Sequence, residues 1–177
     1  TFYRATYSDG IIGWNFSSEG TSGVLSQYMV QASYVGNSKS SITDVYLSNE
    51  VIEIGRSAFQ NCTGLTSLAI PNSVTRINYS AFRVCSGLTS LTIPNSVTNI
   101  GDSAFGYCSG LTSITIENGE IGSEAFWGCR GLKRINIGSG VTKIEDMAFF
   151  DIIAHDASDD NYCPPESDIV VYCYATT

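Results

Sequence analysis

Leu88-Thr89-Ser90-Leu91-Thr92-Ile93-Pro94-Asn95-Ser96-Val97-Thr98-Asn99-Ile100-Gly101-Asp102-Ser103-Ala104-Phe105-Gly106-Tyr107-Cys108-Ser109-Gly110 is one period of a pattern that the chain repeats. Its closing phrase, Ala104-Phe105 followed by Cys108, Gly110 and Leu111, recurs three times. The copies are Ala58-Phe59 with Cys62, Gly64 and Leu65; Ala81-Phe82 with Cys85, Gly87 and Leu88; and Ala125-Phe126 with Cys129, Gly131 and Leu132. A fifth copy starts at Ala148-Phe149 and then dissolves. The steps between Phe59, Phe82, Phe105, Phe126 and Phe149 are 23, 23, 21 and 23 residues. A unit of that length cannot enclose its own core, so neighbours must stack and bury a continuous one. The chain is therefore expected to be a solenoid.

Within the period, Leu88-x-x-Leu91-x-Ile93 puts Leu91 and Ile93 on one face of a strand. Leu65, Leu68 and Ile70 repeat it, as do Leu111, Ile114 and Ile116, and Leu132, Ile135 and Ile137; Ile42, Val45 and Leu47 form an opening copy without a preceding Ala-Phe. Pro-Asn-Ser at 71–73 and 94–96 ends the strand, because proline removes a donor and Asn-Ser favours a turn. Val74 to Ile77 and Val97 to Ile100 read as a second short extended piece. The segment from Gly101 to Cys108 then reads as a single helical or 3₁₀ turn. Parallel strands about 4.8 Å apart, one per turn, give a right-handed solenoid with a sheet on one face.

This frame resembles the leucine-rich repeats of the Treponema pallidum class, found in BspA-like surface proteins of bacteria and some protists. The resemblance covers about residues 41–150, with a dozen positions recurring in register. It implies a secreted or cell-surface location and an adhesin-like role in binding host or microbial proteins or glycans. It supplies no catalytic residue.

The ends carry no repeat. Phe2 to Tyr7, Ser8-Asp9-Gly10 and Ile11 to Phe16 read as a hairpin with an Asp-Gly turn, and Tyr28 to Tyr34 alternates like another strand. Residues 1–40 are expected to form a β-rich cap over the open end, 41–150 the solenoid, and 151–177 a polar insertion followed by a closing strand from Ile169 to Cys173.

The chain has 177 residues, a net charge of −8 and no run of Lys or Arg. Nucleic acid and anionic membrane surfaces both need a basic stripe, so neither is expected as a partner. No apolar run approaches the ~20 residues of a membrane span. A chain beginning at Thr1 reads as either a trimmed piece or a mature fragment, so the missing leader does not argue for the cytoplasm. Cys62, Cys85, Cys108 and Cys129 hold one repeat position and read as a ladder of buried, reduced thiols. Zinc ligands converge on a point, whereas this ladder is a line. Cys163 and Cys173 lie outside the register, and both a bridge between them and two free thiols fit the sequence.

No catalytic motif, metal site or cofactor site is expected. The one histidine, His155, lies in the polar insertion without a nucleophile nearby, and Asp156, Asp159 and Asp160 lack the alternating ligands and glycine of a calcium loop. Function is expected on the outward strand positions instead: Asp44 and Tyr46, Ser67 and Ala69, Ser90 and Thr92, Ser113 and Thr115, Arg134 and Asn136. The candidate ligand-binding residues are Tyr46, Ser90, Thr92, Ser113, Thr115, Arg134 and Asn136. The fourth turn, two residues short, carries Trp127, and has Arg130 and Lys133 where its neighbours carry serine or threonine. Both a binding spot and drift in a repeat that needs only its inward residues fit this, and its Asn118-Gly119 reads as a tighter turn. A structural spacer without a ligand of its own is the alternative, because the middle of the face is small and hydroxylated.

Overall fold

The computed structural model describes residues 2–7, 12–16, 24–25, 39–152 and 170–173. The inward residues of the repeat explain the architecture directly. Leu65, Val74, Ile77, Ala81, Phe82, Cys85 and Leu88 have no exposed surface, and their equivalents in the other turns are similarly buried. Together they form one hydrophobic column along the axis. The Phe rings are its spine. Phe59, Phe82, Phe105, Phe126 and Phe149 stack face to face, with centroids 5.1 to 5.3 Å apart and interplanar angles of 4° to 6°.

Each turn has three sides. The first carries the strands β4 (Ile42–Leu47), β6 (Ser67–Leu68) and β8 (Ser90–Ile93). The second carries β5 (Glu53–Ile54), β7 (Arg76–Ile77) and β9 (Asn99–Ile100), paired in parallel one above the other. In the fourth and fifth turns the two sides fuse into single long strands, β10 (Ser113–Ile121) and β11 (Arg134–Ile144). The expected tighter turn at Asn118-Gly119 is not formed. Positions equivalent to Pro71 and Pro94 are Glu117 and Gly138, which keep their N–H groups, so pairing runs on across the corner with two register shifts. Gly119 absorbs one shift at φ 96°.

At the start, β1 (Phe2–Tyr7) and β2 (Ile12–Phe16) form the expected antiparallel pair, and β1 lies antiparallel against β4. The first repeat strand centres on Val45, which pairs with Leu68. The short strand β3 (Val24–Leu25) pairs with β5, and β12 (Val170–Cys173) pairs in parallel with β11. The expected strand over Tyr28 to Tyr34 lies outside the described residues, as do His155, Asp156, Asp159, Asp160 and Cys163.

The third side corrects the sequence reading. Among the described residues the only helical turn is Lys39–Ser41; the Ala-Phe segments are chains of tight turns. Amides alternate between two partners: Ala58, Gln60 and Cys62 bond back within the turn, to the carbonyls of Gly55, Ser57 and Phe59. Ser57, Phe59 and Asn61 bond across to the carbonyls of Tyr79, Ala81 and Arg83 in the next turn. This alternation needs left-handed backbone at every fourth residue, seen at Ser57, Asn61, Ser80, Val84, Ser103 and Tyr107 with φ between 52° and 66°. A regular helix would direct every amide inward along its own axis and leave none to bind the neighbouring turn.

The thiol ladder is reduced and buried as expected. Cys85, Cys108 and Cys129 each donate the S–H to a carbonyl of the preceding turn, Phe59, Phe82 and Phe105, at 3.1 to 3.2 Å. Burial is the main cause holding the Cys85 and Cys108 thiols well above their ordinary 9.0; at Cys129 the hydrogen bond with Cys108 comes first and burial second. A raised thiol pKa stabilises the fold below pH 9 and is lost as the unfolded chain ionises above it. Thiol reagents are therefore expected to leave Cys62, Cys85, Cys108 and Cys129 untouched in the native protein. Denaturant should expose all four, and melting should fall above about pH 9. Rapid native-state labelling of the four would contradict the ladder.

One interface between turns differs from the rest. Thr66 N–H donates to the Thr43 carbonyl at 3.3 Å, and Thr112 N–H to the Thr89 carbonyl at 3.0 Å. The equivalent bond, from Thr89 to the Thr66 carbonyl, is absent. No ladder joins β6 to β8 among the described residues: β6 ends the sheet β2-β1-β4-β6, while β8 pairs only with β10. The strand side is thus open along a seam between the second and third turns, although β7 and β9 remain paired behind it. Amide exchange at Thr89 is expected to be roughly tenfold faster than at Thr112, the effect of losing one such bond. Equal protection of the two amides would close the seam.

Candidate binding face

The strand side presents two outward columns. Asp44 pairs with Ser67, while Ser90, Ser113 and Arg134 stand in register across β8, β10 and β11. Thr92, Thr115 and Asn136 form the second column, and Tyr46 and Ala69 occupy its positions in the first two turns. The alternation follows from the strand period: Leu91, Ile93, Ile114 and Ile116 point to the core, which forces Ser90, Thr92, Ser113 and Thr115 outward.

The candidate residues divide into two groups. Tyr46, Ser90 and Thr92 border a shallow depression of about 620 Å³ that straddles the seam, together with Asp44, Ser67 and Asn72. Ser113, Thr115, Arg134 and Asn136 lie beyond it, and Asn136 donates to Thr115 Oγ1 at 3.1 Å. Tyr46 and Asn136 stand four turns apart in one column, roughly 20 Å at the usual strand spacing. They do not form one pocket. Asn72 went unrecognised by sequence reasoning because it sits in the Pro-Asn-Ser corner, where only a turn role was legible.

The fourth-turn residues lie elsewhere. Trp127 belongs to the third side, stacked on Tyr107 at 6.5 Å and edge-on to Phe150 at 5.6 Å. The Arg83 guanidinium covers the Tyr107 ring at 4.9 Å. Arg130 forks onto Asp151, with Nη2 to Oδ2 at 2.7 Å. These side chains are committed to one another between turns, so the irregular turn is largely a packing feature there. Lys133 and Arg134 remain exposed.

The corners are sealed by hydroxyls. Ser73 and Ser96 donate to the Val51 and Val74 carbonyls at 2.7 Å, and Thr75 and Thr98 to the Ile52 and Thr75 carbonyls at 3.1 and 3.2 Å. Lys39 performs the same task at the start of the stack, donating to the carbonyls of Ser57 and Ala58 at 3.2 and 3.0 Å; burial lowers its pKa. The Asn78 amide is held by Glu53 and the Ile54 carbonyl. Among the described residues no cluster of His, Cys, Asp or Glu is arranged to hold a metal ion, and no helix is long and apolar enough to cross a membrane.

A family model for the BspA type leucine rich repeat region matches residues 33–154 in six copies. The chain belongs to this family. The BspA-type repeats also match solved structures. A leucine rich cell surface protein from Faecalibacterium prausnitzii is 33% identical over 64% of this chain and 31% of its own, with a TM-score of 0.50. A leucine-rich repeat protein from Bacteroides ovatus is 28% identical over 64% of this chain and 37% of its own, with a TM-score of 0.47. One from Eubacterium ventriosum, 12% identical with a TM-score of 0.50, covers 96% of this chain and 48% of its own, and speaks to the fold alone. The BspA-type chain thus spans less than half the length of each of these relatives. No curated protein matches it.

Proposed function

We propose that this BspA-type chain is a binding module of a secreted or cell-surface protein, recognising a protein or glycan through its strand side and carrying no catalysis. The observation that carries the reading is the contrast between the sides. The third side spends Arg83, Tyr107, Trp127, Phe150, Arg130 and Asp151 on contacts between turns. The strand side keeps Tyr46 half exposed and leaves Ser90, Thr92 and Arg134 exposed, on a backbone fixed by the buried residues beneath. Such preorganisation lowers the entropy lost on binding. The surface location rests on the family and on the printed name of the Faecalibacterium relative.

The test is a screen of the chain against matrix proteins and glycans, followed by Tyr46→Ala and Arg134→Ala. An aromatic and a forked donor are the residue types that carry contact energy on plain surfaces. At least one variant should lose attachment with unchanged melting. Full attachment in both variants would remove the strand side from the reading. The spacer alternative draws on the small residues Ser67, Ala69, Ser90 and Ser113, types that rarely anchor an interface. Failure of every ligand class to bind would favour it.

A further inference from the structure

We propose that the open seam between the second and third turns is a saccharide site, taking a neutral, hydroxyl-rich sugar over the Tyr46 ring. This deepens the binding-module reading and rests on it.

Three observations lead there. Among the described residues Thr89 N–H lacks a bond to the Thr66 carbonyl of the kind that Thr66 and Thr112 make at their own interfaces, and no ladder joins β6 to β8. Polar backbone left this way favours a ligand that both donates and accepts. The seam also lies beneath the depression of about 620 Å³, a size within the range of small-ligand sites. Finally, the rim is chemically mixed. Tyr46 exposes 50% of its surface, while the side chains of Asp44, Ser67, Asn72, Ser90 and Thr92 make no hydrogen bond or ion pair within the protein.

The same features exclude other occupants. An added peptide strand would need about 9.6 Å between β6 and β8, twice the strand spacing. The two strands keep Cα atoms within 8 Å of each other, so no chain can slip between them. Among the described residues lining the depression Asp44 is the only charged one, and its carboxylate disfavours an anionic ligand. A purely apolar ligand would bury this carboxylate and four other polar side chains without partners, at a cost for each. A sugar satisfies the set: its hydroxyls donate to the Asp44 carboxylate and the Thr66 carbonyl, accept from Asn72 and the Thr89 amide, and its C–H face lies on the tyrosine ring.

The experiment titrates the intact chain with neutral oligosaccharides of gluco, manno, galacto and xylo configuration, and with uronate and sulfated counterparts. Backbone amide signals from Ser67 to Ala69 and from Thr89 to Thr92 are followed. At least one neutral sugar should shift those signals. Tyr46→Ala and Asp44→Asn should each weaken it by roughly tenfold or more, with Tyr46→Phe retaining most of the affinity and Arg76→Ala, on the second side, leaving it unchanged. Unaltered melting separates lost contact from lost fold. Binding of only the acidic sugars, or of no sugar, overturns the proposal. So does neutral-sugar binding that responds to Arg134→Ala and ignores Tyr46→Ala; that result moves the site along the strand side and leaves the binding-module reading standing. The latter reading falls separately, if neither proteins nor glycans respond to either strand-side variant.

Discussion

Phe105→Ala is expected to destabilise the protein by about 3–5 kcal/mol, as large aromatic truncations in close-packed cores do. Phe105 is fully buried and its ring is stacked on both faces, against Phe82 at 5.2 Å and Phe126 at 5.3 Å. Its removal opens a cavity in the middle of the column, and the rings on either side lose their stacking partner as well. The neighbouring backbone cannot collapse into the space, because Phe105 N–H and the Ala125 carbonyl are locked at 2.8 Å in the ladder between turns. Phe149, partly exposed and stacked on Phe126 alone among the described rings, should cost less when truncated. Chemical denaturation of both variants checks this ordering. Equal losses at the two positions would show that the column is not a cooperative stack.

Gly110→Ala is expected to be nearly as damaging, at about 3 kcal/mol, the upper end of overpacking effects. A β-carbon at Gly110 would lie 2.8 Å from the Leu88 carbonyl oxygen and closer still to that of Ser86. Both are backbone atoms of the preceding turn, so no rotamer change relieves the clash. Gly64, Gly87 and Gly131 meet the same obstacle, which explains the glycine of the Cys-x-Gly-Leu phrase: the turns approach too closely there for any side chain. Gly106 provides the internal control. Its β-carbon would find Ser103 O at 3.4 Å and the Arg83 stem at 3.8 Å, ordinary contacts. Gly106→Ala should be neutral or stabilising by up to about 1 kcal/mol through the unfolded state. A midpoint for Gly110→Ala no lower than that of Gly106→Ala would contradict the close-approach account.

The inward half of this architecture was legible because burial repeats with the period. Phe59 to Phe149, Cys62 to Cys129 and the Leu-x-x-Leu-x-Ile strands all follow from residues that must face the axis once per turn. What escaped depends on relations between turns. The seam lies between Thr63-Gly64-Leu65-Thr66-Ser67-Leu68 and Ser86-Gly87-Leu88-Thr89-Ser90-Leu91, which differ at one position. Nothing local marks it, because it is a property of how two nearly identical turns stack. The left-handed residues were hidden similarly. Val84 sits at φ 64°, where a β-branched residue is disfavoured, and only the bond from its amide to the Gly106 carbonyl accounts for that conformation. For Trp127 and Arg130 a binding spot and mere drift of the repeat were both open, and neither was decidable locally because their partners Tyr107, Phe150 and Asp151 lie 20 to 23 residues away.

Of the candidate face, the outward columns were readable from strand alternation, whereas their division into a depression around Tyr46 and a separate patch around Arg134 was not. That division needs the open β6–β8 interface. The strand side as the place of recognition is the centre of the account, and a hydrogen-exchange footprint tests it most directly. The chain is compared free and bound to whichever matrix protein or glycan the screen returns. Protection should rise in the segments 43–47, 66–70 and 89–93, with the turns around Phe105 and Phe126 unchanged. Protection confined to 101–108 and 122–130, with the strand segments unaffected, would place recognition on the third side and contradict it.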